Sequence, residues 1–575
     1  MLVLSQGLVL LALLTLDGFA KSVTKTTTAP KRQTDVAKNN FVRQEGSQLM
    51  VNGSEFRYIG TTAYWLSSLN SEADIDATLK NIAQAGFNVV RTWAFNDVDS
   101  VPENGTWFQT FQNGTFTINR GANGLQKLDK VVELARNHGI YILPSLTNNW
   151  NPRLSDKLNV TDPISVFRMG RRDIGTGNDL PRNTLSNDYG GMDFYVRALG
   201  GPREHDQFFT NRTLIEAFQN YTREIVTRYA NHPNVLAWEL ANDPRCGSSI
   251  AASAGCVPQN ITRWHAEMAQ FIRTIDSNHV VATGHQGFFC TGCPKLFPIQ
   301  PQPRPRPSPA PGARRTTAEP LTRKRLLLER KEAFKKTRAA AARTEGGIRI
   351  RGRWLSTPTR RQQDPVVGSS FDGSQGVDSE DIMNIPGIGL SSFMFLPDQN
   401  SYGPDDPNLS RLDNILQQGL TWIRLQAEAS QTFGKPTAIS AMGLVDQANA
   451  QSFVPFNSTI APFATDTSVP GSPSVVPRQL PAPSSVSSLP NTDMVSNTLT
   501  QLTAAGVQGG LAGMVQYQWS QSNLTTQPGT PIVPANGTIP ATGSTTGNSP
   551  NDGYALPPVS LAGMVNAAGG GFQQP

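Results

Sequence analysis

The chain is predicted to fold as a single closed (β/α)8 barrel, an α/β architecture, with a long basic insertion after the fifth strand. Three observations lead there. First, short apolar runs alternate with segments whose apolar residues recur at helical spacing, and the alternation continues for eight rounds. Strands alternating with helices argue for a parallel sheet, and eight rounds argue for closure. Second, Asn234 to Arg245, NVLAWELANDPR, opens on the apolar run Val235-Leu236-Ala237-Trp238 and closes on Glu239, Asn242, Asp243 and Arg245. A strand that delivers polar groups at its C-terminal end is how such a barrel presents chemistry. Asn-Asp-Pro is also a common turn sequence, so this stretch alone reads equally as a buried strand ending in a turn. Third, the 575 residues include 9 Trp and 26 Phe, enough for the core of one large barrel with insertions.

The elements follow in order. Phe56 to Gly60 opens the barrel as strand one. Ala73 to Phe87 is an amphipathic helix ending at a glycine, and Asn88 to Phe95 is strand two. Leu125 to His138 is a helix and Ile140 to Leu146 strand three, which ends at Asn148-Asn149-Trp150. A long loop then runs to Asp188-Tyr189-Gly190-Gly191-Met192. Leu214 to Ala230 is the helix before strand four, and Trp238 within that strand reads as core. Ile261 to Ile275 is the next helix, and Val280 to Gly284 is strand five. Regular alternation stops there. Phe297 to Pro311 is Pro-rich, and Arg323 to Arg343 is a strongly basic helix former. Alternation resumes with Ser391 to Leu396 as strand six, Leu412 to Phe433 as a helix and Thr437 to Ala441 as strand seven. A Ser/Pro-rich loop from about Phe456 to Pro490 precedes strand eight, Leu511 to Trp519, and Tyr554 to Ala568 holds a closing helix.

The predicted domain organisation is therefore a signal peptide over 1–20, a disordered or processed segment over 21–40, and the first part of the barrel over 41–295. A Pro-rich basic insertion occupies 296–365, and the rest of the barrel 366–575. The signal rests on the apolar core Leu8 to Leu16 and the small-residue site Gly18-Phe19-Ala20, and Lys31-Arg32 offers a dibasic processing site. No later apolar run reaches the roughly 18 residues that a spanning helix needs, so no membrane anchor is expected. The insertion from Arg304 to Arg361 carries 18 Lys/Arg against 4 Asp/Glu, a net +14. The chain as a whole is +6, so the remainder is −8, and an acidic body does not suggest a nucleic-acid partner. Eleven Asn-x-Ser/Thr sequons fit an exported, monomeric glycoprotein. The four cysteines fall in two local pairs, Cys246/Cys256 and Cys290/Cys293, and local disulfides are the expected closure. Cys290-x-x-Cys293 also has the form of a redox or zinc motif. With six His in the chain and no second such motif, no metal and no cofactor are expected.

Trp238-Glu239-Leu240-Ala241-Asn242-Asp243-Pro244-Arg245-Cys246 resembles the fourth-strand motif of the endo-β-1,4-mannanases of glycoside hydrolase family 5, and the resemblance to that family is also strong at Arg91-Thr92-Trp93 and at Asp188 to Met192. The resemblance implies a secreted barrel acting on or binding mannan or a related β-glycan. In that family two carboxylates, at the ends of strands four and seven, serve as acid/base and nucleophile. Retaining hydrolysis needs such a pair about 5–5.5 Å apart. This chain departs at both positions. Asp243 stands at the acid/base position, where the family has Glu. Strand seven reads Lys435-Pro436-Thr437-Ala438-Ile439-Ser440-Ala441-Met442-Gly443, which places Ala441 at the nucleophile position. Met394 and Leu396 replace the family's His and Tyr on strand six, and Gln286 replaces a Glu after strand five. The resemblance assigns Arg91, Trp93, Asn149, Trp150, Tyr189, Asn242, Tyr517 and Trp519 to the sugar cleft. Trp93 and Trp519 have an alternative reading as fillers of the barrel mouth, and Arg91 as a buried arginine paired with Asp243 or Glu239. Three functional readings follow: a working glycanase with an unrecognised second carboxylate, such as Asp446 or Asp398; a barrel that binds polysaccharide without hydrolysing it; and adhesion to acidic glycans through the basic insertion.

Overall fold

The structure is a computed structural model. It describes residues 40–102, 105–153, 185–199, 203–299, 348–350, 353–355, 368–458, 462–463, 486–525 and 547–569. The signal peptide, Lys31-Arg32 and the basic helix around Arg323 to Arg343 lie outside the described residues.

Eight parallel strands form one sheet. They are β1 (Tyr58–Thr62), β2 (Val89–Trp93), β3 (Tyr141–Ser145), β4 (Ala237–Glu239), β5 (Val280–Ala282), β6 (Ser391–Phe395), β7 (Thr437–Met442) and β8 (Gly513–Gln516). Each strand neighbours the next, and β8 pairs with β1. The ring closes between β5 and β6 through a parallel bridge, Ala282 to Leu390. Apart from Tyr141 at the start of β3, every residue of the eight strands is buried, as expected of a parallel sheet covered on both faces.

The barrel helices are α1 (Glu72–Gln84), α2 (Leu125–Asn137), α3 (Arg212–Tyr229), α4 (Pro258–Ile275), the short α5 (Ser379–Met383), α6 (Arg411–Phe433), α7 (Thr492–Gln508) and α8 (Ala562–Gly569). Their starts carry the expected chemistry. The side chains of Ser71, Asn211, Ser410 and Asn491 accept backbone N–H bonds at the first turns of α1, α3, α6 and α7, and Pro258 opens α4. The predicted strands and long helices agree with these bounds to within a few residues. Strand eight is shorter than expected and ends at Gln516 rather than Trp519. Helix α7 has no counterpart among the expected elements. Its sequence, TDMVSNTLTQLTAAGVQ, is rich in Thr, which hides a helical period, yet Val495, Leu499 and Leu502 are buried on one face. Three antiparallel units were also not foreseen: the N-terminal strands Arg43–Glu45, Gln48–Val51 and Ser54–Glu55, the hairpin Gln109–Gln112 with Thr115–Ile118, and the hairpin Ile348–Ile350 with Arg353–Leu355 inside the basic insertion.

The N-terminal strands close the bottom of the barrel. Val42, Leu49, Val51 and Phe56 form one apolar cluster with Val89, Leu143, Leu236, Val280, Ala438 and Val515. The opposite end is left for the loops that follow the strands. Both local disulfides are present, Cys246–Cys256 and Cys290–Cys293. Each ties a loop at that loop-bearing end, one after β4 and the other after β5.

Two histidines are buried between α4 and β5. His265 donates from Nδ1 to the carbonyl of Ile261, and His285 accepts at Nδ1 from the N–H of Gly287. Burial pushes His265 down to about 4 and His285 down to about 3. An unfolded histidine titrates near 6.5, so above that pH both states are neutral and these groups do not alter stability. Below it the unfolded chain takes up protons that the folded chain refuses. Stability is therefore expected to fall progressively from about pH 6.5 towards pH 3–4. Asp97, pushed up to about 8 by burial, works in the opposite direction, since its neutral form favours the fold as pH falls. Urea midpoints of the unaltered chain and His265→Gln between pH 7 and pH 4 separate the terms. The variant should show the shallower acid limb, and identical slopes would reject the assignment.

Candidate functional site

The ends of β2, β3 and β4 deliver a continuous polar network. Arg91 lies on β2 and Glu239 on β4, so they meet across the intervening strand, as alternate strands do inside a barrel. Arg91 donates from Nε to both oxygens of Glu239 at 3.0 Å and from Nη2 to Oε1 at 2.5 Å. Both side chains are fully buried. Arg91 Nη2 also donates to Oδ1 of Asn242 at 2.8 Å, and Asn242 Nδ2 donates to Oδ1 of Asn148 at 2.8 Å. Arg91 Nη1 is buried with no hydrogen-bond partner. The guanidinium lies 5.1 Å over the ring of Trp93.

Asp243 follows in a turn with φ +57°, a left-handed conformation that Asp tolerates. The turn is pinned by a bond from its N–H to the carbonyl of Gly284 at 2.8 Å. Gly284 has φ +77°, and a Cβ there would lie 1.7 Å from the carbonyl oxygen of Ala241, so only glycine allows β5 to approach β4 this closely. The Asp243 carboxylate is committed. Arg245 donates to it twice, from Nε at 3.0 Å and Nη2 at 2.7 Å, and Trp150 Nε1 donates to Oδ2 at 2.7 Å. Arg245 is held in turn by ring contacts with Trp150 and Phe288 and by an N–H bond to Oδ1 of Asn149. Asn149 is itself fixed by His205, whose Nδ1 pairs with Asp193 at 2.7 Å.

A small cavity opens here, walled by Arg91, Ser186, Asn187, Asn242, Asp243, Gln286, Met394, Leu396, Ala441, Phe456 and Tyr517. The structure thus brings together Arg91, Asn242, Asp243, Ala441 and Tyr517 of the expected site. The other expected cleft residues stand behind the wall. Trp93 is buried, stacked near Tyr64 and Phe95, and its indole donates to the carbonyl of Ser186. Tyr189 is fully buried, edge-on to Tyr64. Trp519 is fully buried, edge-on to Phe87, which agrees with the filler reading and not with a cleft platform. Asn149 reaches the site through Arg245, and Trp150 through Asp243 and a ring contact with Phe456. Arg91 takes the paired reading, with Glu239 as its partner.

Asp446 and Asp398, the alternative carboxylates, are outside the wall. Asp446 accepts from the N–H and side chain of Asn449 and from Thr492 Oγ1, which fixes the loop after β7. Asp398 accepts from the N–H of Val445 and from Arg411, and burial pushes it up to about 6. The sequence did not single out Asp552. Its buried carboxylate accepts from the phenols of Tyr64 (2.8 Å) and Tyr517 and from the N–H of Ser186 at 3.2 Å. Burial raises it above the usual carboxylate range. No periodicity or motif marks it, because it sits in an irregular loop after β8. Among the described residues no group of three or more His, Cys, Asp or Glu could hold a metal ion.

Residues 49–291, which span β1 to β5, match the family described as "Cellulase (glycosyl hydrolase family 5)". The chain is similar to mannan endo-1,4-beta-mannosidase F of Aspergillus fumigatus, 35% identical over 274 residues that make up 47% of this chain and 52% of that protein. Mannan endo-1,4-beta-mannosidase A of Hypocrea jecorina is 34% identical over 250 residues, 43% of this chain and 47% of the relative. The chain thus spans about half the length of the curated relatives it matches. The endo-1,4-beta-mannanase of Rhizomucor miehei superimposes with a TM-score of 0.54 at 20% identity, covering 92% of this chain and 99% of that one, which establishes the shared barrel.

Proposed function

We propose that this family 5 barrel is a secreted, monomeric protein of the β-1,4-mannanase type that binds mannan or a related β-glycan and has lost retaining hydrolysis. One observation carries the reading: Asp243 is the sole carboxylate among the residues walling the cavity, and Ala441 lies in the same wall. A retaining glycosidase needs an acid and a nucleophile, both carboxylates. Asp243 is shorter by one methylene than the family's Glu, and both its oxygens already accept bonds from Arg245 and Trp150. Sugar binding does not need these groups. Arg91 Nη1, the Asn242 amide, Asn187, Gln286 and the ring of Tyr517 offer the donors and apolar face of a carbohydrate site. The reading involves no cofactor and neither a nucleic-acid nor a membrane partner. Among the described residues no helix is long and apolar enough to cross a membrane. Exposed sequons at Asn52, Asn113, Asn211, Asn220, Asn408 and Asn523 support export.

Calorimetric titration with β-1,4-mannohexaose, run beside a reducing-sugar assay on mannan, tests the proposal. Binding without sugar release supports it, and release at an ordinary rate overturns it. The hydrolytic reading keeps one specific support, the buried Asp552 that touches the wall residues Tyr517 and Ser186. Under that reading Asp552→Asn would abolish whatever release is seen.

A further inference from the structure

The loop after β7 does more than wall the cavity. In an eight-stranded ring β7 and β3 are diametrically opposed, four strands apart in either direction. Phe456 lies beyond β7, yet its contacts are with the far side. Its ring stacks on Trp150 beyond β3, with centroids 5.9 Å apart and planes at 23°. Its carbonyl accepts from Asn187 Nδ2, also beyond β3, at 3.0 Å. Its own N–H donates to Gln399 Oε1, beyond β6, at 2.7 Å. The base of the segment is stitched to the loop after β8. Asn551 donates to the side chain of Asn449 at 2.7 Å, Asn449 donates to the carbonyl of Ala555 at 2.7 Å, and the ring of Phe453 meets that of Tyr554. Gly553, at φ +99°, makes room for this, since a Cβ there would lie 2.5 Å from the Cα of Phe453. Residues 449–458 therefore run as a strap across the full mouth of the barrel.

We infer that Phe456 is a specificity-determining residue: the strap turns an open cleft into a pocket that admits the end of a β-glycan chain and excludes internal segments. This deepens the proposed function and rests on its assignment of a glycan ligand. A polymer lying across the mouth has to pass over the cavity, and the strap occupies that path. A chain end needs only one opening.

The test uses the full chain and linear β-1,4-mannan fractions of defined length, compared at equal mass. End recognition makes the number of sites follow the number of ends, so shortening the chains tenfold raises the sites per unit mass about tenfold. Phe456→Ala, and separately Gln399→Ala, which releases one anchor of the strap, should both shift binding towards a site count that follows mass. A count that follows mass in the unaltered chain overturns this inference and leaves the glycan reading standing. Loss of binding in Phe456→Ala overturns it too, since Phe456 would then be a sugar platform. No binding of any fraction by any of the three chains removes the glycan reading and this inference together.

Discussion

Sugar release from β-1,4-mannan by the unaltered chain is expected to lie at least about a thousandfold below that of a family relative with both carboxylates, the scale on which removing one member of a catalytic unit acts. Asp243→Glu alone should change little, because the cavity wall offers no second carboxylate. Ala441→Glu alone supplies that carboxylate but leaves the acid tied to Arg245 and Trp150. The double variant should gain more than the sum of the two. It should still fall short of a relative, because Met394 and Leu396 flank the new group and neither donates a strong hydrogen bond. Position 441 is buried, so the longer side chain has to enter the cavity. Circular dichroism of each variant guards against loss of fold, and a reducing-sugar assay reads the result. Ordinary turnover by the unaltered chain would show that another carboxylate does the work, and Asp552 would be the first to examine.

Glu239→Ala should destabilise the barrel by about 3–5 kcal/mol, the typical cost of leaving one partner of a buried ion pair uncompensated. Arg91 and Glu239 are fully buried and joined by three hydrogen bonds, with Trp93 beneath the guanidinium. Arg91→Ala should cost a similar amount and also remove the support of Asn242. Arg91→Met with Glu239→Leu removes both charges and should cost much less than either single change. Urea unfolding of the four chains measures this. A loss below about 1 kcal/mol in Glu239→Ala, the level of an exposed pair, would mean that water reaches the site. The same series bears on binding. Glu239 does not wall the cavity whereas Arg91 does, so a glycan-affinity loss confined to Arg91 variants would mark the unpartnered Nη1 as a sugar donor.

The barrel was legible because burial follows local period. A strand such as Val280 to Ala282, buried along its length, reads as an apolar run whatever its neighbours, and α3 and α4 show their faces at three- and four-residue spacing. Helix α7 was missed because Thr dilutes that signal, although its buried face is made of ordinary aliphatic residues. Part of the site was legible for a different reason. Asn242, Asp243 and Ala441 are set by their place at strand ends, which a motif records directly.

From the sequence alone came the residue types at the strand ends, Asp243 and Ala441 among them, and four cysteines in local pairs. Distance along the chain hid the rest. Arg91 and Glu239 are separated by 148 positions, Asn187 and Phe456 by 269, and Tyr64 and Asp552 by 488. Whether an arginine serves a ligand or a carboxylate, whether Trp519 faces sugar or core, and whether a loop leaves the mouth open or crosses it depend on which side chains the closed ring sets side by side. Closure is a property of all eight strands together, and a local pattern reports on only one of them at a time.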